Sequence, residues 1–465
     1  MWHRRAKWVA GTPAMITMFF VPWIAWGQEA ELPQQRCMSG PEQPRKSYNL
    51  SQLLDIAQCL NPETRAAWER SRQASLAVDA VKSSYSPNVS LQAIGGFQRT
   101  PLPIPTTLLS RGYFTANTRE FIPSLSAKWL LFDFGRRSGL EASARANQAA
   151  AAVAYSGAQQ KLIFSVTRAY FDLRASRGRL HAADEAFTAA QTIQDATSAQ
   201  RHNGRATVVA VAQAERQTAL ARLGQVKANG DVRTAYATLM AEVGLAASTQ
   251  LNIEEGQNLP MPEPLSEPVE NYVQQALHQR PDVLAAESGV HAAEGEVETA
   301  RAAYRPVVSV SGNYYQNIGA LSTDGSPYYS INKPGGAIFL NIELPLFDGG
   351  ARATNLSIAH SKVAAAQDDL DQVRDKVAKE VVKAYNDLTS SMEEFDQAKV
   401  FLRASRTAYE ASLDAYKHGV GTYTDLANDE AVLAQSESSL SSADSDVHVA
   451  SVALALATGT IRVTP

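Results

Sequence analysis

Asp425 and Asp429 stand four residues apart, a spacing that puts two carboxylates on one face of a helix. Such a face either draws cations into a confined space or is simply hydrated, and the spacing alone leaves both open. Just upstream runs Gly419-Val420-Gly421-Thr422, and an earlier version occurs as Gly204-Arg205-Ala206-Thr207. Glycine-rich runs cradle phosphate when they follow a strand, but here each follows a helix-like stretch. Their glycines suit an abrupt chain reversal instead. Other chemistry is sparse. The eight histidines form no HExxH and no i,i+4 pair, and Asp368-Asp369 and Glu393-Glu394 are neighbours that do not face one another. No P-loop, Gly-x-Ser-x-Gly or dinucleotide fingerprint occurs, so neither an enzyme nor a bound cofactor is expected. Seven methionines and eight histidines are scattered and make no ladder for metal. Cys37 and Cys59 are the only cysteines, too few for a disulfide scaffold or a Cys-rich metal module. As an isolated pair they could form one bridge in an oxidising compartment.

That compartment is indicated by the first 27 residues. Arg4, Arg5 and Lys7 precede a mostly apolar, uncharged run from Val9 to Trp26, and Ala25-Trp26-Gly27 offers a small–x–small cleavage site. Gln34-Gln35-Arg36 before Cys37 lacks the small residues of a lipidation signal. The whole chain has 465 residues, with 43 Lys+Arg against 47 Asp+Glu. Loss of the signal removes three cations and no acid, which leaves a net charge of -7. No basic excess exists to neutralise phosphates, so nucleic acid is not a partner. Charged residues at 19% and hydrophobic ones at 45% exclude a disordered polyelectrolyte. Past residue 30 no apolar stretch is long enough for a membrane-spanning helix.

A duplication positions the glycines and acids. Leu131-Phe132-Asp133-Phe134-Gly135 returns as Leu346-Phe347-Asp348-Gly349-Gly350, an offset of 215 shared by Tyr170 and Tyr385, Gly204 and Gly419, Glu215 and Glu430, and Gly244 and Gly459. Upstream the offset is 219, relating Pro62 to Pro281 and Tyr85 to Tyr304. The repeats run over 49–247 and 268–462. The prolines at 260, 262, 264 and 268 mark the linker, 248–267, and 28–48 is an N-terminal extension. No proline occurs between Pro123 and Pro260 or between Pro345 and Pro465, and both gaps are rich in good helix formers. Each gap breaks at its glycines, so two antiparallel helices per repeat are predicted, at about 138–202 and 207–243, then 352–417 and 423–458. At 1.5 Å per residue the longer ones reach about 100 Å. Dense small residues (Ala149 to Ala152, Ala364 to Ala366) would let helices approach closely.

Ahead of each long helix lie two runs of period two. Val89, Leu91, Ala93 and Phe97 alternate with Asn88, Ser90 and Gln92, and Leu125, Ala127, Trp129 and Leu131 with Ser124, Ser126 and Lys128. The second repeat offers Val308 and Val310, then Ile338, Leu340, Ile342 and Leu344. Strands are predicted at 88–98, 121–132, 307–316 and 337–347, joined by loops at 99–120 and 317–336. Their length and alternation suit a transmembrane β-barrel and equally a half-buried soluble sheet. Four strands cannot close a barrel, but three copies would supply twelve.

The duplicated strand–strand–long-helix-pair unit, the Leu-Phe-Asp-x-Gly junction, Arg280-Pro281-Asp282 and the segment from Tyr416 to Leu426 together resemble the TolC-type outer-membrane channel family over essentially the whole mature chain. The resemblance implies a mainly α fold with β: a homotrimer forming a 12-stranded barrel in outer-membrane lipid, continued by a long helical barrel in the periplasm. It implies a passive channel of a tripartite efflux pump or a type I secretion system. The channel would dock onto a periplasmic adaptor protein and an inner-membrane transporter that supplies the energy. Docking would then fall to the tips, at Gly204, Arg205, Thr207, Gly419, Gly421 and Thr422, with Ala206 departing from the glycine found at 421. Asp425 and Asp429 would form a pore constriction, or else a solvated outer face. Cargo is set mostly by the pump and adaptor. The competing reading is a wholly periplasmic coiled-coil adaptor or rod, which would carry one hairpin flanked by mirrored β-rich modules rather than two hairpins in tandem.

Overall fold

The structure, a computed structural model, describes residues 47–204, 206–254 and 260–461. In chain order its elements are α1 (Leu50–Leu60), α2 (Pro62–Ser83), β1 (Asn88–Pro103), β2 (Tyr113–Phe132), α3 (Arg136–His202), α4 (Val208–Val243), α5 (Val269–Gln279), α6 (Pro281–Ala302), β3 (Val307–Thr323), β4 (Tyr329–Glu343), α7 (Ala351–Lys417) and α8 (Tyr423–Thr458). The expected signal segment 1–27, Cys37 and Arg205 lie outside the described residues. Cys59 sits partly buried in the last turn of α1.

The short helices α1, α2, α5 and α6 went unread in the sequence, although their signals are present. Asn49 opens α1 with a capping box, its side chain accepting from the Gln52 N–H at 3.0 Å. Asn61 then accepts from Glu63 N–H at 2.8 Å to start α2, with Pro62 at the first helical position, where a missing N–H goes unmissed. Pro281 plays the same part in α6. The long helices α3 and α7 each have 67 residues, and α4 and α8 each have 36.

The strands outrun their expected limits. β1 has 16 residues, β2 20, β3 17 and β4 15, which shrinks the predicted loops 99–120 and 317–336 to 104–112 and 324–328. Pro101, Pro103 and Pro334 had read as loop, yet they lie on β1 and β4, the two edges of an antiparallel sheet ordered β1-β2-β3-β4. An edge strand can leave an N–H position empty at little cost. At the other end β4 stops at Glu343, short of the expected 347.

Each repeat has its own apolar core. The first gathers Leu53, Leu173, Leu239 and Met240 from α1, α3 and α4, with Tyr48 and Ile253 joining through a parallel bridge. The second gathers Val283, Val377, Val381 and Leu454 from α6, α7 and α8. Burying one such side chain fully contributes about 1.5–3 kcal/mol. Glycines let α3 and α6 approach closely. A Cβ at Gly139 of α3 would lie 2.7 Å from Thr299 N and 2.8 Å from Gly295 O of α6. The duplicated Gly244 and Gly459 likewise let the ends of α4 and α8 close onto Asn61 and Arg280, at the α1–α2 and α5–α6 junctions.

Candidate channel wall and docking tips

Alternation along four paired strands divides the sheet into two chemically different faces. On one face, register brings Val89 beside Ala127, Leu91 beside Leu125, Leu125 beside Tyr314, Trp129 beside Val310, and Val310 beside Leu340. On the other lie Asn88 and Lys128, Ser90 and Ser126, Gln92 and Ser124, and Ser311 and Asn313. The hydroxyls of Ser90 and Ser126 bond across the strands at 2.7 Å, and Asn341 donates to Ser311 at 2.9 Å. Among the described residues nothing covers the apolar face: Leu91, Ile338 and Ile342 are 74, 83 and 68% exposed. Tyr315 lies over its cross-strand partner Gly335, so an aromatic ring fills the space that a glycine leaves.

The Leu-Phe-Asp motif turns out to be a corner joining sheet to helix. Asp133 accepts from the backbone N–H of Arg137 at 3.0 Å and from its Nε at 2.9 Å. The same guanidinium donates to Leu130 O, Leu131 O and Ser84 O, and stacks 4.5 Å over Tyr85. In the second repeat Asp348 accepts from Arg352 N–H and Nε at 3.0 and 2.7 Å, Arg352 donates to Pro345 O, and Tyr304 takes the place of Tyr85. Arg137 and Arg352 were missed in the sequence, though their i,i+4 spacing from a duplicated aspartate could have revealed them.

At the far end of the long helices, Gly204 reverses the first hairpin with φ +70°. Thr207 is the N-cap of α4 rather than its first residue, accepting from Ala210 N–H at 3.1 Å. In the second hairpin the Val420 and Gly421 N–H groups both donate to Ala415 O at 3.0 Å, and Gly419 has φ +76°. A Cβ at Gly421 would meet Ala415 Cβ at 3.0 Å. Thr422 caps α8. Its hydroxyl accepts from Asp425 N–H at 3.1 Å and donates to the Asp425 carboxylate at 2.6 Å. The two tips meet where the hydroxyls of Thr197 and Tyr416 approach to 3.3 Å.

Asp425 and Asp429 share a helix but not an environment. Asp425 is exposed and tied to the cap, whereas Asp429 is partly buried and accepts from Ser412 of α7. Glu430, which sequence reasoning passed over as a functional residue, is the buried acid of the tip. It is 4% exposed, and its Oε2 has no partner among the described residues. Burial pushes its carboxyl up to about 7. The Tyr409 and Tyr423 hydroxyls are also pushed up, by burial and then by Glu430. The signal was its i,i+4 spacing from Leu426, which is fully buried. Its counterpart Glu215 is exposed. Among the described residues no cluster of His, Cys, Asp and Glu could hold a metal, and no helix is long and apolar enough to cross a membrane.

Sequence and structure comparisons agree with this geometry. The family model described as outer membrane efflux protein matches residues 53–245 and 272–460, one stretch in each repeat. Protein CyaE of Bordetella pertussis is 28% identical over 412 residues, covering 89% of this chain and 84% of that protein. The cation efflux system protein CusC of Escherichia coli K12 is 26% identical over 323 residues, covering 69 and 68%. Among solved structures, the outer membrane channel CmeC of Campylobacter jejuni superposes with a TM-score of 0.75 at 18% identity, covering 88% of this chain and 85% of that one.

Proposed function

Because this chain belongs to the outer membrane efflux protein family, we propose that it assembles as a homotrimer whose three four-stranded sheets close into one 12-stranded barrel through the outer membrane. Its family and its relative CusC support reading it as an outer-membrane channel of efflux rather than an enzyme. The observation that carries the proposal is the open sheet, apolar on one face, polar on the other and, among the described residues, unpaired along its edges β1 and β4. Backbone groups at a bare edge cannot enter hydrocarbon, and joining β4 of one copy to β1 of the next removes every edge. Leu346 and Phe347 just beyond β4, 86 and 89% exposed, gain cover in the same step. Arg119 and Trp129 then bracket the apolar face. Ten residues at 3.4 Å, tilted as barrel strands are, make a band about 25 Å tall.

The long helices continue the pore into the periplasm. Their tips, at Gly204, Arg205, Thr207, Gly419, Gly421 and Thr422, dock onto an adaptor protein and, through it, an inner-membrane transporter that supplies the energy. Three copies of Asp425 and Asp429 gather six carboxylates near one axis, a constriction that favours cations.

The assembly is tested by the mass of the protein extracted from outer membranes in detergent. From 50.2 kDa for the whole chain, loss of the signal leaves about 47 kDa, and a closed cyclic trimer weighs about 140 kDa. A water-soluble monomer or dimer would remove the barrel and leave the wholly periplasmic rod or adaptor.

The two tip roles separate in one experiment on reconstituted trimers and export-competent cells. Gly419→Val with Gly421→Val forces a β-branched residue into a left-handed position and a methyl group into Ala415, so export stops while trimers persist. Asp425→Ala with Asp429→Ala raises single-channel conductance or weakens cation preference. Normal export in the first pair, or unchanged currents in the second, would count against the corresponding role.

A further inference from the structure

The strand ends farthest from the helices carry an unbalanced set of cations. Arg111 pairs with Asp324. Arg99 and Arg119 are exposed and have no acidic partner among the described residues. Register pairs Arg99 with Asn117 and Phe97 with Arg119, so the two arginines are diagonal neighbours on adjacent strands, about 7–8 Å apart. Both occupy the odd positions of β1 and β2, the face that also carries Val89, Leu91, Leu125 and Trp129. Glu120, the nearest acid in sequence, falls on the opposite face. The Arg119 guanidinium lies 4.7 Å over the ring of Tyr328, which holds it at the surface. Phe97 lies level with Arg119, and Phe121 and Ile318 come below, exposed rings and an aliphatic side chain at the upper margin of the apolar band.

Two guanidinium groups without counterions, fixed at the rim of an apolar face, fit an anion that arrives attached to hydrocarbon. A phosphate monoester meets the description, since guanidinium forks bind its oxygens in pairs, and the acyl chains below it lie along the band. We propose that Arg99 and Arg119 clamp the phosphorylated headgroup of an outer-leaflet lipid. This rests on the barrel proposed above, which turns the apolar face toward lipid. Lys333, by contrast, pairs with Asn317 on the polar face and looks into the lumen.

The test uses full-length trimers stripped of lipid in detergent and titrated with the diphosphorylated acyl-glucosamine anchor of lipopolysaccharide, its dephosphorylated analogue and inorganic phosphate. The wild type binds the phosphorylated lipid at least about tenfold more tightly than the dephosphorylated one, the size expected of charge-assisted bonds. Arg99→Gln with Arg119→Gln abolishes that preference, and Lys333→Gln, which removes a cation from the other face, keeps it. Equal preference in the wild type and the double variant would overturn the proposal. So would an equal loss in Lys333→Gln, or inorganic phosphate binding as tightly as the lipid. Light scattering on the same samples distinguishes the underlying failure: protein that forms no detergent-dependent trimer refutes the barrel, whereas an intact trimer indifferent to phosphate refutes the clamp alone.

Discussion

Leu125→Arg is expected to leave almost no trimer in the outer membrane. Leu125 sits in the middle of the apolar band, between Leu91 and Tyr314 on the flanking strands. An arginine at the midplane of a membrane barrel destabilises it by about 2–4 kcal/mol, and the threefold symmetry of the proposed trimer makes that roughly 6–12 kcal/mol per assembly. That is as large as the whole stability of a typical domain. The neighbouring Ser126→Arg places the same charge on the polar face, so it inserts normally and changes ion selectivity instead. Membrane fractionation followed by detergent extraction reads both. Leu125→Arg trimers at wild-type abundance would mean that this face does not meet lipid.

Glu430→Gln should remove a pH dependence from the second tip. Burial raises the carboxyl from its ordinary 4.5 to about 7, so the folded tip holds a proton that the unfolded chain gives up. The folded state therefore binds more protons between those values, and stability is full below about 4.5 and falls as pH rises through about 7. The loss amounts to about 3 kcal/mol once the group is charged. Glutamine keeps the shape without the charge. At pH 8 the variant's α7–α8 tip amides should exchange roughly a hundredfold more slowly than wild type, after correction for intrinsic rates, and at pH 4 the two should match. Identical protection at pH 8 would show that Glu430 finds a counterion or water when charged.

The physical causes of what could and could not be read from the residues are local. Proline-free gaps of Ala, Gln and Glu define α3, α4, α7 and α8 because one proline inside a helix breaks it. The duplication locates both reversals at Gly204 and Gly419. The strand ends were misjudged because Pro101, Pro103 and Pro334 signal loop in isolation. Only the sheet order β1-β2-β3-β4 shows that they lie on edges. At the tip, helical spacing correctly aligned Asp425 with Asp429, but not that Ser412 of α7 would engage Asp429 alone. Glu430 was legible in principle, being one helical turn beyond the apolar Leu426. An acid among apolar neighbours is easily taken for a surface residue until the partner helix is in place.

Mechanically, each Asp–Arg corner is the fulcrum of an arm about 100 Å long. One degree of play at Asp133–Arg137 or Asp348–Arg352 would displace the corresponding tip by about 2 Å, the scale on which a contact is made or lost. Both guanidinium groups therefore do more than finish a turn. By gripping carbonyls at the end of the sheet (Leu130 and Leu131 in β2, and Pro345 just past β4) together with the first helical turn, they set the angular tolerance of surfaces at the far end of the long helices. With the fulcrum stiff, movement of the tips has to be distributed as bending along α3 and α7.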